Sequence, residues 1–393
     1  MIKVVICATS HPSGATNVPA ELMAEGLRLG GHEAFIFILD EKANIKDFVK
    51  FIKNNSIDFV LSLNPGVLRL RYRLIPLHHF ISVPICLFLL DNPAYHLKEL
   101  AEVLGKSRAG VSVLAPDMNQ VETLKNFVER SRFKGATVSY FPWAGPAPSI
   151  QAGNANLDYD CVVFCTLDQQ ITDAGETDTA LARISEKFHN DQVADSLRRM
   201  FYTDYTIPVS HLVTSLTKKE FTLSDVRQVE IWKQLDSLLK RERRRAMARV
   251  LIEVAREKKL KIAVCGSGWD KLGTLPDSMT VIGNVNYRRQ FDIFPNSRFL
   301  INMDPNWTHG IHDRVFNSMS VGCAVITNEN DFILNNFAVG TEILIYKNVS
   351  ELKKLLTHTN SKQIAAKALV KFKKAHTWQA RMRSITEFAT QLI

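Results

Sequence analysis

The chain has 393 residues, of which 46% are hydrophobic and 23% charged, and a formal net charge of +9. That length holds two sizeable cores at roughly 150 residues per domain, and the composition excludes a disordered chain, a collagen-like fibre and a disulfide miniprotein. The positive balance suits anionic ligands such as nucleotides, nucleic acids or acidic surfaces without choosing among them.

The opening reads as strand, loop, helix. Lys3 to Ala8 is an apolar strand, and Thr9 to Gly14 is a loop of small and polar residues. Val18 to Leu29 follows at helical spacing, closed by Gly30-Gly31 at the C-terminal cap. Strand and helix signals then alternate: Ala34 to Leu39 extended, Phe48 to Lys53 helical, Phe59 to Leu63 and Pro84 to Leu90 extended, Tyr95 to Leu104 helical, Gly110 to Leu114 extended. Such alternation predicts a parallel sheet wrapped by helices. The proline-rich stretch Phe141 to Pro148 reads as a hinge. The longest apolar run, Val83 to Leu90, is shorter than the roughly 20 residues of a membrane span. Met1-Ile2-Lys3 leads into the first strand without the pattern of a signal peptide. Six scattered cysteines, none in a CxxC pair, read as buried thiols, which gives a cytoplasmic location as the expectation.

Cys161 to Leu167 reads as a strand, and from Ile171 to about Arg256 helix formers dominate. Lys240 to Arg245 is the densest basic run. It reads as a solvated helix face or as a footprint for phosphates and anionic surfaces. It lacks interleaved aromatics, so nucleic acid is not an expected partner. From Lys261 the opening pattern returns, with Lys261 to Gly268 paralleling Ile2 to Thr9, and further strands at 279–282, 299–303, 324–327 and 343–346. The expected fold is α/β, with two Rossmann-like domains facing across a cleft and a helical insertion. The expected boundaries are an N-terminal Rossmann-like domain at 1–145, a hinge strand with the insertion at 146–256, a C-terminal Rossmann-like domain at 257–374, and a helix at 375–393 with an apolar face of Trp378, Met382 and Phe388.

Gly266-Ser267-Gly268 follows a strand, where glycine lets backbone approach a ligand or simply turn. The strict dinucleotide fingerprint is missing, because position 271 is Lys. The segment from Asn302 to Thr327 is more informative. A strand ends in a polar loop, and a helix starts near Gly310 and stops at Gly322. The N–H groups at that start favour an anion, and Arg314 in the first turn has the fork to grip a diphosphate. In the first domain, loops at the carboxyl ends of parallel strands line the crevice. His11 and Asp91 are therefore the two candidates for a general base, and Gly14 would let backbone approach the ligand. Asp91 reads equally as an N-cap for the helix beginning near Pro93. Asp158-Tyr159-Asp160 spells D-x-D but precedes a strand, so no metal or other cofactor is expected.

These motifs resemble the GT-B glycosyltransferases, and within them the CgeB-like group-1 transferases. Cys265 to Trp269 is similar to that family's G-x-G-W, Gly283 to Tyr287 to its G-x-v-x-y, and Gly310 to Gly322 to its g-i-x-x-R-v-F-E-a-m-a-c-G block. Asp91-Asn92-Pro93 resembles its D-D-P, and Phe141 to Ala144 its l-P-w-A hinge. The resemblance implies a transferase acting on a nucleotide-sugar donor and a protein, glycan or other acceptor, without a bound metal. It implies donor contacts from Gly266, Ser267, Gly268, Trp269, Asn286, Tyr287, Gly310, Ile311, Arg314 and Asn317. Related retaining enzymes carry a glutamate pair spaced E-x(7)-E, where this chain has His309 and Asn317. Asn317 would bond a ribose hydroxyl, and His309 a sugar hydroxyl or phosphate oxygen, with a charge state that matters near neutral pH. The departure keeps two other readings open: a sugar-nucleotide epimerase or hydrolase of the same shape, and a non-catalytic nucleotide-binding scaffold.

Overall fold

The computed structural model describes residues 1–40, 44–149, 157–167, 192–304, 307–358 and 360–390. The helical stretch expected over 171–191 lies outside them. The first sheet is built from β1 (Lys3–Thr9), α1 (Asn17–Leu29), β2 (Glu33–Leu39), α2 (Ile45–Asn54) and β3 (Phe59–Leu63). A small hairpin, β4 (Arg71–Tyr72) and β5 (Ile75–Pro76), leads to β6 (Ile85–Phe88), α3 (Leu97–Lys106), β7 (Val111–Ala115), α4 (Met118–Ser131) and β8 (Ala136–Tyr140). Its strand order is β2-β1-β3-β6-β7-β8, with every pairing parallel. β3, β6 and β7 are buried along their whole length. This is why they read as continuous apolar runs rather than alternating ones.

The second sheet begins earlier than the returning pattern at Lys261 suggests. β9 (Tyr159–Phe164), expected in the hinge, is one of its two central strands. After β9 come α5 (Gln192–Tyr202), α6 (Val209–Thr217), α7 (Val226–Lys258), β10 (Ile262–Cys265), β11 (Met279–Gly283), α8 (Gln290–Ile293) and β12 (Ser297–Ile301). The chain continues through α9 (Asp313–Ser320), β13 (Ala324–Asn328), α10 (Asp331–Asn336), β14 (Leu344–Tyr346), α11 (Val349–Leu355), α12 (Ser361–Ala375) and α13 (Trp378–Thr390). The order is β11-β10-β9-β12-β13-β14, again all parallel. The helical segment is thus the enlarged crossover between β9 and β10, internal to the second unit. The order reverses between β9 and β12, and that switch point is where a sheet of this topology opens a crevice for a ligand.

The two units are tied together by a long helix. α7 has 33 residues, about 50 Å at 1.5 Å per residue. Asp225 caps its start, accepting from the N–H groups of Arg227 and Gln228. Its first half puts Val229, Trp232, Leu235 and Leu239 into the core beneath the first sheet. Its second half puts Met247, Leu251 and Val254 beneath the second. The basic run Lys240–Arg245 is the stretch between. A second tie joins the ends of the chain. The Gly145 N–H donates to the His376 carbonyl (2.9 Å), and the Trp378 N–H donates to the Gly145 carbonyl (2.8 Å). α13 then lies on α1. A Cβ at Gly26 would come within 2.7 Å of the Trp378 backbone, so only glycine permits that approach.

Candidate functional site

The crevice at the switch point is lined from both units and from α7. Phe164 and Cys165 come from the end of β9, Asp304 from the end of β12, His312 and Arg314 from the start of α9, Lys240 and Arg244 from α7, and Asp91 from the end of β6. It encloses about 150 Å³. Three cationic side chains therefore face two carboxylates in a small polar space, an arrangement suited to an anion brought against a hydroxyl-bearing partner.

Arg314 is held in place by two contacts at the crevice. One guanidinium nitrogen donates to the Phe164 carbonyl (2.8 Å), and another lies 3.2 Å from His312 Nε2. His312 is the N-cap of α9, and its Nδ1 is paired with the Asp313 carboxylate. The Tyr287 hydroxyl donates to the same carboxylate, and Asn317 Nδ2 donates to the Tyr287 oxygen at 2.8 Å. A guanidinium can only donate, so Nε2 is the acceptor in its contact with Arg314. Asp313 is 3% exposed. Burial disfavours its charge, but the His312 imidazole, the bonds from His312 and Tyr287 and the Arg314 charge outweigh this and hold the carboxyl below its usual range. Burial, then the Asp313 charge, pushes the Tyr287 phenol well up, so it stays a proton donor. Asp304 accepts from Asn302 Nδ2 (2.9 Å) and from the His312 backbone N–H (3.2 Å), which fixes the loop leading into α9.

Asp91 does not cap the helix after it. Asn92 does, accepting from the Ala94 N–H at 3.0 Å. Asp91 instead turns to the crevice, 3.5 Å from His96 Nε2. The His96 hydrogen bond, working against burial, holds its carboxyl below the usual range, with help from the charges of His96, Lys240 and His312.

The basic run is not a solvated face. Arg243 is fully buried and Arg245 is 4% exposed. The Arg243 guanidinium donates to the carbonyls of Met200 and Asp204 and stacks 4.2 Å from the Tyr205 ring; burial pushes its pKa down to about 10. Arg241 and Arg245 both reach Glu242. Lys240 is paired with buried Asp236 at 2.8 Å and lies over the Tyr95 ring, and Arg244 reaches towards the Thr166 carbonyl at 3.4 Å. An association of Lys240–Arg245 with anionic surfaces has no continuous exposed patch to rest on. Lys240 and Arg244, one turn apart, face the crevice because α7 crosses it there.

Several expected donor contacts serve the fold instead. Gly266 (φ +137°) and Gly268 (φ +87°) are needed because the segment after β9 runs against them. A Cβ would lie 2.3 Å from the Cys165 oxygen in the first case and 2.1 Å from the Leu167 oxygen in the second. Ser267 offers its carbonyl to the Leu167 N–H (2.9 Å). Trp269 is fully buried, and its indole N–H donates to the Cys165 carbonyl (2.8 Å), so a ligand does not reach it. Asn286 caps Arg289. Ile311 is fully buried in the core. Asn317 is fully buried behind Tyr287. His309 is 2.5 Å from Asp331, and Gly310 faces the first unit, where a Cβ would meet the Pro116 carbonyl at 2.4 Å. His11 folds onto its own loop, with Nδ1 2.6 Å from the Ser13 hydroxyl. That loop docks on the second unit through Gly14, as the Tyr287 N–H donates to the Ser13 carbonyl at 2.6 Å. Of the expected residues, Asp91 and Arg314 share the crevice. His312, Asp304, Lys240 and Arg244 complete it; of these only Lys240 and Arg244 had a sign in sequence, as members of the basic run.

Asp160 of the D-x-D triplet is used structurally, bonded to Arg298 (2.8 Å) and to the Lys261 N–H (2.9 Å). Among the described residues no group of three or more His, Cys, Asp or Glu side chains is placed to hold a metal, and no helix is long and apolar enough to cross a membrane.

Residues 230–387 match the family model described as Glycosyl transferase-like. No curated protein matches the chain. Among solved structures, HepE of Anabaena, determined with UDP-glucose, superposes with a TM-score of 0.53 at 8% identity, covering 100% of both chains. AviGT4, a glycosyltransferase of avilamycin A biosynthesis, gives 0.51 at 11% identity over 100% of this chain and 98% of its own. Sucrose-phosphate synthase of Thermosynechococcus elongatus gives 0.50 at 9% identity over 99% of each. At such identities these likenesses speak to architecture, which they cover end to end. The chain thus has the fold of the GT-B glycosyltransferases, and its residues 230–387 match the glycosyl transferase-like family.

Proposed function

We propose that the protein moves a sugar from a nucleoside diphosphate donor to an acceptor hydroxyl within the crevice between the two sheets. The observation that carries this reading is the convergence of Arg314, Lys240 and Arg244 on one small space at the switch point, with Asp91 on the opposite unit. The three cations would neutralise the diphosphate as it leaves, the role that developing negative charge requires. Arg314 would do so with a bidentate fork held ready by Phe164 and His312. Asp91, ionised across neutral pH, would take the proton of the attacking hydroxyl as the bond from the sugar to the diphosphate breaks. We read the transfer as independent of a metal, because side-chain cations already occupy the place where charge develops. A cytoplasmic location fits the six buried free cysteines.

A second reading has its own observation. His309 and Asn317, which stand where related retaining enzymes carry two glutamates, are both engaged by the protein's own groups. A scaffold that binds nucleotide without turning it over would tolerate that. The test is a melting-temperature screen against UDP, GDP, CDP, dTDP and ADP sugars, UDP-glucose first given the ligand of HepE, followed by donor turnover with and without cell extract. A ligand that binds the native state raises the melting temperature by mass action. A shift with turnover supports transfer, a shift without turnover supports the scaffold, and no shift with any of the five overturns both.

A further inference from the structure

Beside the crevice is a second, smaller pocket, walled by the start of α4, by Pro208 to Ser210 and by Trp232 of α7. Asn92, the neighbour of Asp91, lines both spaces. Gln120 projects from the first turn of α4 and is 3% exposed, yet neither its side-chain oxygen nor its side-chain nitrogen has a hydrogen-bond partner among the described residues. A buried amide left in this state is costly unless something binds it.

The chemistry of the wall restricts what that is. Among the described residues no lysine, arginine or histidine lines the pocket, so none of them gives an anion a counter-charge there. The one carboxylate among its described lining residues, Asp117, is already engaged by the N–H groups of His309 (2.9 Å), Asn119 (2.9 Å) and Gln120 (3.3 Å). Nearby Asn119 is likewise engaged, donating to the Thr308 hydroxyl. Gln120 offers one acceptor and one donor group together, and a hydroxyl, which both donates and accepts, satisfies both. Trp232 and Phe221 supply an apolar wall against which the carbon of a hydroxymethyl arm can rest. The enclosed volume, about 30 Å³, admits a hydroxyl or hydroxymethyl arm and not a ring.

We infer that this pocket is an acceptor subsite in which Gln120 receives a hydroxyl or hydroxymethyl group of a neutral carbohydrate whose reacting hydroxyl lies at Asp91. The inference rests on the transfer reading above and adds to it the class of acceptor. Because α6 and α7 form one wall, the subsite depends on the enlarged crossover between β9 and β10.

The test uses the full chain with UDP present and three probes: methyl α-glucoside, methyl α-mannoside and methyl α-galactoside, with binding followed by saturation-transfer NMR. The expected result is saturable binding of at least one glycoside, weakened about tenfold or more in Gln120→Met, where a hydrogen-bonded hydroxyl meets a thioether of similar volume. UDP affinity should be unchanged, and the melting temperature equal or higher. Gln120→Asn, which keeps the amide but shortens its reach, serves as the second variant if Gln120→Met does not fold, and should also weaken glycoside binding. If no glycoside binds the wild type, or if binding is equal in wild type and variant, as a permanently held water would give, the subsite is overturned. In both cases intact UDP binding leaves the transfer reading standing; absence of binding to any nucleoside diphosphate would instead remove that reading itself.

Discussion

The carboxylate of Asp117 accepts the backbone N–H of His309 at 2.9 Å, joining the first sheet's α4 to the loop before α9 across 192 positions of sequence. Asp117 also caps α4, so one buried side chain both starts a helix and closes the gap between the two units. Gly310 permits the approach, and the Asn119–Thr308 bond stands next to it. With these contacts made, the crevice is small. The crevice encloses about 150 Å³, below the roughly 300 Å³ usual for a ligand pocket, so parting of these contacts is the opening we expect a nucleotide sugar to need.

Asp117→Ala should therefore act at two levels. Loss of the cap costs about 0.5–2 kcal/mol of stability, read as a lower melting temperature. Loss of the bridge should let the units separate, read as a larger radius of gyration in small-angle scattering without ligand. Scattering identical to wild type at equal folded fraction would show that the bridge does not govern closure.

Arg314→Ala should weaken binding of the cognate nucleoside diphosphate about 10- to 100-fold, the worth of a charge-assisted contact of roughly 1.5–3 kcal/mol. Arg314→Lys should restore only part, since it keeps the charge and loses the fork that spans Phe164 and His312. Calorimetric titration beside a melting curve decides it. A lower melting temperature with unchanged affinity per folded molecule would make Arg314 a strut.

Asp91→Asn should lower turnover about 100-fold or more, the usual range for a lost general base, while leaving the donor's KM nearly unchanged. The sign of the pH effect follows from its depressed pKa. The carboxylate stays ionised as pH falls from neutrality towards the ordinary value of 3.8, so Asp91 itself should impose no loss of kcat/KM between pH 8 and 5. His96→Ala should move the acid limb up towards the ordinary carboxylate range. Turnover in Asp91→Asn equal to wild type would remove it from the reaction.

His376 makes a prediction about stability. It is 2% exposed and stacked between Phe316 and Phe337, with neither ring nitrogen partnered among the described residues. Burial, then the charges of Arg381 and Lys371, pushes its pKa down to about 3 from 6.5. The unfolded chain binds this proton first, so stability falls as pH drops below 6.5 and goes on falling towards 3. At pH 5 the loss is about 2 kcal/mol, at about 1.4 kcal/mol per unit. His376→Phe should flatten that limb of the melting-temperature profile. A parallel profile for the variant would count against it.

What the sequence determined by itself is what depends on near neighbours. The strands of the first sheet, the glycine turn at Gly266–Gly268 and the helix that carries Arg314, though it starts at Asp313 rather than near Gly310, are legible because hydrophobic period, backbone freedom and capping act within a few residues. Arg314 could be singled out for the same reason. The membership of Tyr159–Phe164 in the second sheet could not, because strand pairing is chosen by partners about 100 and 140 residues on, at Ile262 and Ser297. The fate of Lys240–Arg245 could not either. One basic run becomes two cleft cations and two buried struts only because α7 spans both cores, and a charge carries no sign in sequence of which wall it will meet. The tertiary structure alone made Trp269 and Asn317 interior residues, freed Asp91 by giving the cap to Asn92, and set His312, Asp313 and Tyr287 behind Arg314. Those outcomes turn on burial and on hydrogen-bond partners, and both are properties of the packed chain rather than of any stretch of it.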